Sequence, residues 1–203
     1  CLRNGFRAVR DTAETYDGIG LRIDTNGGTV SNCVISGNQR HWRGRGAAGV
    51  YMNSKQAFLK NCIVRDNVGY FAGNASSDKQ YGTGIYLAAG TVSDCFVMNN
   101  TADSQYAKGG GIYLGSSDAV VRRTIVSDNK LTYGPNKKTD SNVQGGGVYM
   151  VDGVLDNCLI YGNKLENTMH FQVHGGGLCQ EAGSVVNCTI ANNAAYGAAG
   201  VFV

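Results

Sequence analysis

Proline is almost missing from this chain, one residue in 203, and charged residues make up only 16% of it. Disordered chains are rich in both, so this composition excludes disorder and points to a folded chain with many tight turns. The formal net charge is +3. That is too small for a dedicated nucleic-acid binder, although "RHWRGR" at 40–45 is locally basic, and no general affinity for nucleic acid is expected. No apolar run approaches the roughly 18 to 20 residues needed to cross a bilayer, and no secretory signal opens the sequence. Histidine is scarce at 3 residues.

What is present in excess is glycine, 30 residues, and it is ordered. The phrase "KGGGIYLGSSDAVVRRTIVSDNK" at 108–130 returns as "QGGGVYMVDGVLDNCLIYGNK" at 144–164 and "HGGGLCQEAGSVVNCTIANN" at 174–193. Gly20, Gly49, Gly84, Gly111, Gly147, Gly177 and Gly200 align before a short apolar strand. The first six units each run to an asparagine: Asn38, Asn67, Asn100, Asn129, Asn163 and Asn193. Their lengths differ by two residues, which preserves the inward face of an alternating strand. Repetition at this period indicates one continuous stack of supersecondary units rather than two globular domains.

Three apolar columns fill each unit. After the glycine comes an apolar–variable–apolar strand, broken at Gln180; then Val30, Leu59, Val92, Val121, Leu155 and Val185; then Ile35, Val64, Val97, Val126, Ile160 and Ile190. Each strand is too short to stand alone, so equivalent strands must stack at about 4.8 Å. Between them Asn32, Asn61, Asp94, Asn157 and Asn187 mark a turn, where Asn, Asp and Gly accept positive φ or close backbone approach. Stacked asparagines can also hydrogen bond along a ladder.

The motifs "GGGI" at 109–112, "GGGV" at 145–148 and "GGGL" at 175–178, each followed by a later asparagine, resemble a right-handed parallel β-helix. More narrowly, they are similar to the repeats of polymorphic outer-membrane and autotransporter-like surface proteins, which pair "GGAI" with "FxxN". Here Val or Ile takes the Phe place, as in "IVRDN" and "IANN". The resemblance covers about residues 18–203. It implies an all-β, pectate-lyase-like solenoid of about three short strands per coil and roughly six complete coils. It also implies a bacterial extracellular or cell-surface location. Residues 1–203 are expected to be a single β-helix domain, an excerpt of a longer protein, since "AAGVFV" reads as the first strand of another repeat. Cys1 fits either an acylated lipoprotein cysteine or a repeat position.

Cys33, Cys62, Cys95, Cys158 and Cys188 share one column, in which Thr124 takes the sixth place. In-register stacking holds their Cβ atoms about 4.8 Å apart, against about 3.8 Å in a disulfide. The expectation is an internal ladder of free thiols, with disulfides between adjacent coils as the alternative. No histidine stands beside them to complete a zinc site.

For function, the inserts at 39–48, 68–83, 101–110, 130–146 and 164–176 vary in length and are expected to protrude from one side as mobile loops. They carry Trp42, Tyr70, Phe71, Tyr81, Tyr106, Tyr133 and Phe171. Beside them the outward column Arg22, Tyr51, Tyr86, Tyr113, Tyr149, Cys179 and Phe202 has four successive tyrosines. These rings are either a flat platform for sugars or cross-strand pairs that stabilise the sheet. The binding candidates are therefore Trp42, Tyr51, Tyr86, Tyr106, Tyr113, Tyr133 and Tyr149, with a glycan or a host or cell-surface protein as partner. No catalytic residue, metal or cofactor is assigned. The fold resemblance raises a second class, a carbohydrate-active lyase or hydrolase. For that class Asp118, Asp152 and Glu181 lie near the tyrosine strand, but at unequal offsets that suit turn residues better.

Overall fold

A computed structural model describes residues 20–40, 46–70, 79–104, 106–132, 142–166 and 173–203. Among the described residues every regular element is a strand, and each pairs in parallel with its equivalent one coil away. The columns of the sequence are the hydrogen-bonded register. Leu59, Val92, Val121 and Leu155 pair in succession, as do Val64, Val97, Val126 and Ile160, and all eight are fully buried. Each coil thus adds several aliphatic side chains at roughly 1.5 to 3 kcal/mol each. The two-residue variation falls in the bend after the first strand. It is absorbed there by register shifts around Asn53, while Gln180 turns its amide to the Gly183 carbonyl at 3.0 Å.

The inserts depart from expectation. Gln39–Arg40, Val68–Tyr70, Thr101–Asp103, Lys130–Thr132 and Lys164–Glu166 form a 5-stranded parallel sheet. Lys79–Tyr81, Tyr106–Lys108, Asn142–Gln144 and Val173–His174 form a 4-stranded one. A coil therefore carries up to five strands, not three, and these parts of the inserts continue the stack instead of leaving it. Their inward residues Ala102, Ala107, Leu131, Val143, Leu165 and Val173 make a second buried cluster, separate from the main core. The remaining insert residues 41–45, 71–78, 105, 133–141 and 167–172 lie outside the described residues.

The triple glycine has three jobs in order. Gly109, Gly145 and Gly175 take positive φ of 71°, 67° and 69°. A Cβ at the second position, Gly176, would sit 2.5 Å from the Ala199 carbonyl oxygen. A Cβ on the aligned glycine Gly84 would meet the next coil's Gly111 oxygen at 2.6 Å and the Asn100 amide nitrogen at 2.8 Å. The aligned glycines are therefore required by close approach, not by dihedral angle.

What they approach is a polar spine. Asn38, Asn67, Asn100, Asn129 and Asn163 each donate through Nδ2 to the Oδ1 of the asparagine in the next coil, at 2.8–3.0 Å. The same oxygens accept the preceding coil's backbone N–H, for example Asn67 N–H to Asn100 Oδ1 at 3.1 Å. Asn100 Nδ2 also donates to the Val64 carbonyl at 3.1 Å. Every ladder amide from Asn38 to Asn163 is fully buried, so these bonds satisfy groups that water cannot reach. The other asparagine column works differently: Asn32, Asn61, Asp94, Asn157 and Asn187 adopt φ of 50–56° and sit on an outer corner. Arg123 takes the fourth place of that column at φ 45°.

Candidate binding face

The outward tyrosines belong to the first strand of successive coils, and the register sets Arg22, Tyr51, Tyr86, Tyr113, Tyr149, Cys179 and Phe202 in one line. Their rings stack on one another. Centroids are 5.3 Å apart for Tyr51 and Tyr86, 4.9 Å for Tyr86 and Tyr113, and 5.7 Å for Tyr113 and Tyr149, with interplanar angles of 21°, 20° and 4°. The Arg22 guanidinium lies 5.2 Å from the Tyr51 centroid at the start of the row. Ring faces are thus turned along the stack, and the half-buried Tyr51, Tyr86 and Tyr113 show the outside their edges. This is the geometry of cross-strand aromatic pairing, not of a flat platform on which a sugar could lie.

A second column runs beside the first: Tyr81, Lys108, Gln144 and His174, on the 4-stranded sheet. Three of its four members reach the aromatic column one coil further on. Tyr81 stacks on Tyr113 at 4.8 Å, Lys108 Nζ stands 4.0 Å over the Tyr149 ring, and His174 stacks on Phe202 at 4.3 Å. The two columns interlock like offset bricks, which ties the 4-stranded sheet to the large one across coil boundaries.

Tyr149 is the point where this covering closes, for although its strand alternation points it outward it is 1% exposed. Lys108 Nζ donates to its hydroxyl, and the hydroxyl donates to Glu181 Oε1. Lys108 and Glu181 themselves stand 3.6 Å apart. Burial first, then the bond to Glu181, holds the phenol protonated well above its ordinary range. The neighbouring Cys179 thiol is pushed up to about 11 by burial. A protonated phenol, a capped ammonium and an occupied carboxylate form a clasp rather than an acid–base pair.

Of the other residues singled out by sequence, Tyr106 is half-buried on the 4-stranded sheet, in register with Lys79 and Asn142, and is not part of the tyrosine row. Trp42 and Tyr133 lie outside the described residues. The three carboxylates weighed for catalysis have separate partners. Asp118 pairs with Lys55 at 3.0 Å, Asp152 accepts the Gly153 N–H at 2.7 Å, and Glu181 holds Tyr149. Among the described residues no group of three or more His, Cys, Asp or Glu side chains is placed to hold a metal ion. Sequence reasoning missed Lys108 and the offset pairing. The signal available was the column five residues before each tyrosine-row position, at 81, 108, 144 and 174, which is visible only when the units are aligned on both sides of the glycines.

The cysteine column lines the main core. Cys33, Cys62, Cys95, Cys158 and Cys188 are all free thiols, as is Cys179. Successive members meet as N–H to sulfur contacts, Cys62 N–H to Cys95 Sγ at 3.4 Å among them, and Cys95 N–H lies 3.4 Å from the Thr124 hydroxyl oxygen. Burial pushes the Cys95 and Cys158 thiols up to about 12.

No curated protein and no solved structure matches the chain. The family model described as "Right handed beta helix region" does match, over residues 9–202, and the parallel stacked coils are what that description requires. The chain belongs to the right-handed β-helix family.

Proposed function

We propose that this chain is a non-catalytic segment of an extracellular or cell-surface protein, a stiff rod that spaces or presents contact surfaces to a glycan or a protein. The observation that carries the reading is the continuity of the ladders from coil to coil. The main-core columns, the aromatic row and the buried asparagine spine all continue from coil to coil, and a stack tied in this way resists bending. The likeness of the glycine and asparagine motifs to polymorphic outer-membrane and autotransporter-like proteins supports a surface role. The separate partners of Asp118, Asp152 and Glu181 argue against a lyase or hydrolase on the tyrosine side, because paired-carboxylate chemistry needs two carboxyl groups converging on one bond.

Because ring faces are taken up by stacking, contact through Tyr51, Tyr86 and Tyr113 would use ring edges and polar groups, a geometry suited to a protein or to the hydroxyls of a glycan more than to face-on sugar stacking. A glycan array and a protein pull-down with the wild-type chain and with Tyr86→Ala/Tyr113→Ala test this, with circular dichroism to verify the fold. Loss of signal in the folded variant supports the aromatic row as the contact; undiminished signal moves the contact elsewhere. Cleavage of any of a panel of acidic and neutral polysaccharides, abolished by Glu181→Ala or Asp152→Ala, would replace the rod reading with an enzyme.

A further inference from the structure

The outer face of the 6-stranded sheet bears a ladder of its own. Val34, Ile63, Phe96, Ile125 and Leu159 pair in one column through five coils. They alternate with the buried Ile35, Val64, Val97, Val126 and Ile160, so they point away from the core. Phe96 is 44% exposed, and the other four are half-buried. A sheet face turned to water normally alternates to polar residues there; a continuous apolar stripe marks an interaction surface.

We propose that this face pairs with the same face of a second copy of the chain, the two coil stacks running antiparallel. Symmetry leaves two arrangements, and the residues beside the stripe choose between them. Two residues on from the stripe stands a second column, Ser36, Arg65, Met98, Ser127 and Tyr161, of which Ser127 is fully buried. A two-fold axis along the stacks reverses the strand direction, and so puts the Lys60 and Asp156 edge of one copy on the opposite side of the stripe from that of the other. A two-fold axis across the stacks reverses the coil order instead and keeps each column, and the edge beside it, opposite its own counterpart; both arrangements are isologous. Phe96 then faces Ile125 of the second copy, and Ile63 faces Leu159.

The charges at the rim agree with that choice. Lys60 and Asp156 lie in one register column, three coils apart, at the edge beside the stripe. Reversed coil order brings Lys60 of each copy to Asp156 of the other, and Arg65 to the Tyr161 ring. One self-complementary arrangement therefore matches the apolar column, the charged pair and a cation–aromatic pair together. The sheet face is only about 29 Å by about 10 Å, from six strands of three residues. This is well below the roughly 800 Å² per partner of a standard interface, so the association is weak and concentration-dependent.

Sedimentation velocity across a concentration series, up to the solubility limit, tests the proposal. The wild-type chain is expected to show a reversible monomer–dimer equilibrium, and Phe96→Lys to be monomeric with unchanged circular dichroism. Lys60→Asp and Asp156→Lys should each weaken dimerisation several-fold, and the double variant should recover it, because the exchange restores opposite charges across the antiparallel axis. If Phe96→Lys fails to fold, a short bismaleimide decides instead: mixed Phe96→Cys and Ile125→Cys chains should crosslink to each other in preference to themselves. A monomer at every concentration overturns the proposal, as does a dimer indifferent to Phe96→Lys, a charge exchange that restores nothing, or crosslinking without preference for the mixed pair.

Discussion

The two buried clusters are built from the same kind of coil, yet they differ in how they specify themselves. The main core is made of columns in which the coils contribute mostly Val, Ile or Leu, with Met52 and Met150 in the first strand and the asparagine spine and the cysteines along its edges. The smaller cluster changes along its length. Its inward position on the 5-stranded sheet reads Arg40, Gly69, Ala102, Leu131 and Leu165, and on the 4-stranded sheet Gln80, Ala107, Val143 and Val173. At its first coils the filling is polar: the buried Arg40 donates to the Gly46 carbonyl at 2.5 Å and to Gln80 Oε1 at 3.5 Å, and a Cβ on Gly69 would meet that same Gln80 oxygen at 2.8 Å. Uniform ladders make a coil rigid and repeatable. A graded filling lets neighbouring coils differ in length and content without disturbing the main stack.

The sharpest way to break the main core is through its spine. Asn100→Leu removes the acceptor for the Asn67 N–H and amide and the donor to the Val64 carbonyl and Asn129, all buried. Stranded buried polar groups cost about 1 to 3 kcal/mol each. Urea denaturation should therefore show a loss of about 4 kcal/mol or more, or no stable fold at all. Asn61→Gly, in the other asparagine column at φ 51°, should change stability little, because glycine accepts that conformation freely. Equal losses at the two positions would refute the division of labour between the columns.

The smaller cluster should fail locally. Leu131 is 1% exposed, and Leu131→Ala removes its aliphatic body from a cluster of six buried residues. Such truncations cost about 2 to 5 kcal/mol where the site cannot collapse. The expected signature is regional: faster amide exchange on the Thr101–Asp103 and Tyr106–Lys108 strands, with protection retained on Phe96–Met98 and Ile125–Ser127. Uniform loss of protection along the coil would mean that the two clusters are one cooperative unit.

This contrast also explains what could be read from sequence. The main core was legible because its columns repeat residue type at fixed spacing from the aligned glycine, so that Leu59, Val92, Val121 and Leu155 identify one another. The smaller cluster was not, because one inward residue in a three-residue strand gives no periodicity, and Arg40, Gly69 and Ala102 do not look like members of one column. Lys130–Thr132 and Lys164–Glu166 read as charged loop for the same reason. On the candidate face the tyrosine row was visible, but the direction of its rings was not, since stacking along the axis is decided by the partners that Tyr81 and Lys108 bring from the adjoining sheet.

The thiols offer a chemical probe of the main core. With Cys95 and Cys158 pushed up to about 12 by burial, almost no thiolate exists at neutral pH, and a disulfide-exchange reagent should label them very slowly in the folded chain. Denaturation without reductant should then release the full set of column thiols. Raised thiol pKa values also set the sign of an alkaline effect. The folded state keeps its protons where the unfolded chain, with thiols near 9.0, has lost them, so the contribution to stability is full below about pH 9 and declines as pH rises towards 12. Cys95→Thr, which copies Thr124, should remove part of that decline; an unchanged pH profile would place its origin outside the column.

The smallest effect expected is a gain, at the one corner where the repeat departs from its own rule. Arg123 holds φ 45° in a column otherwise filled by Asn and Asp at 50–56°, the residues that tolerate left-handed backbone most readily. Its compensation is a two-point bond across one coil to Asp94, with Nε to Oδ1 at 2.7 Å and Nη2 to Oδ2 at 2.9 Å, and this holds the Asp94 carboxyl below its usual range. That pair is exposed to water and screened by salt, whereas the backbone strain is present at every ionic strength. Arg123→Asn should therefore raise the melting temperature slightly in high salt and less, or not at all, in low salt. If the variant melts lower at both, the ion pair outweighs the strain, and the arginine is there to lock the fourth coil onto the third.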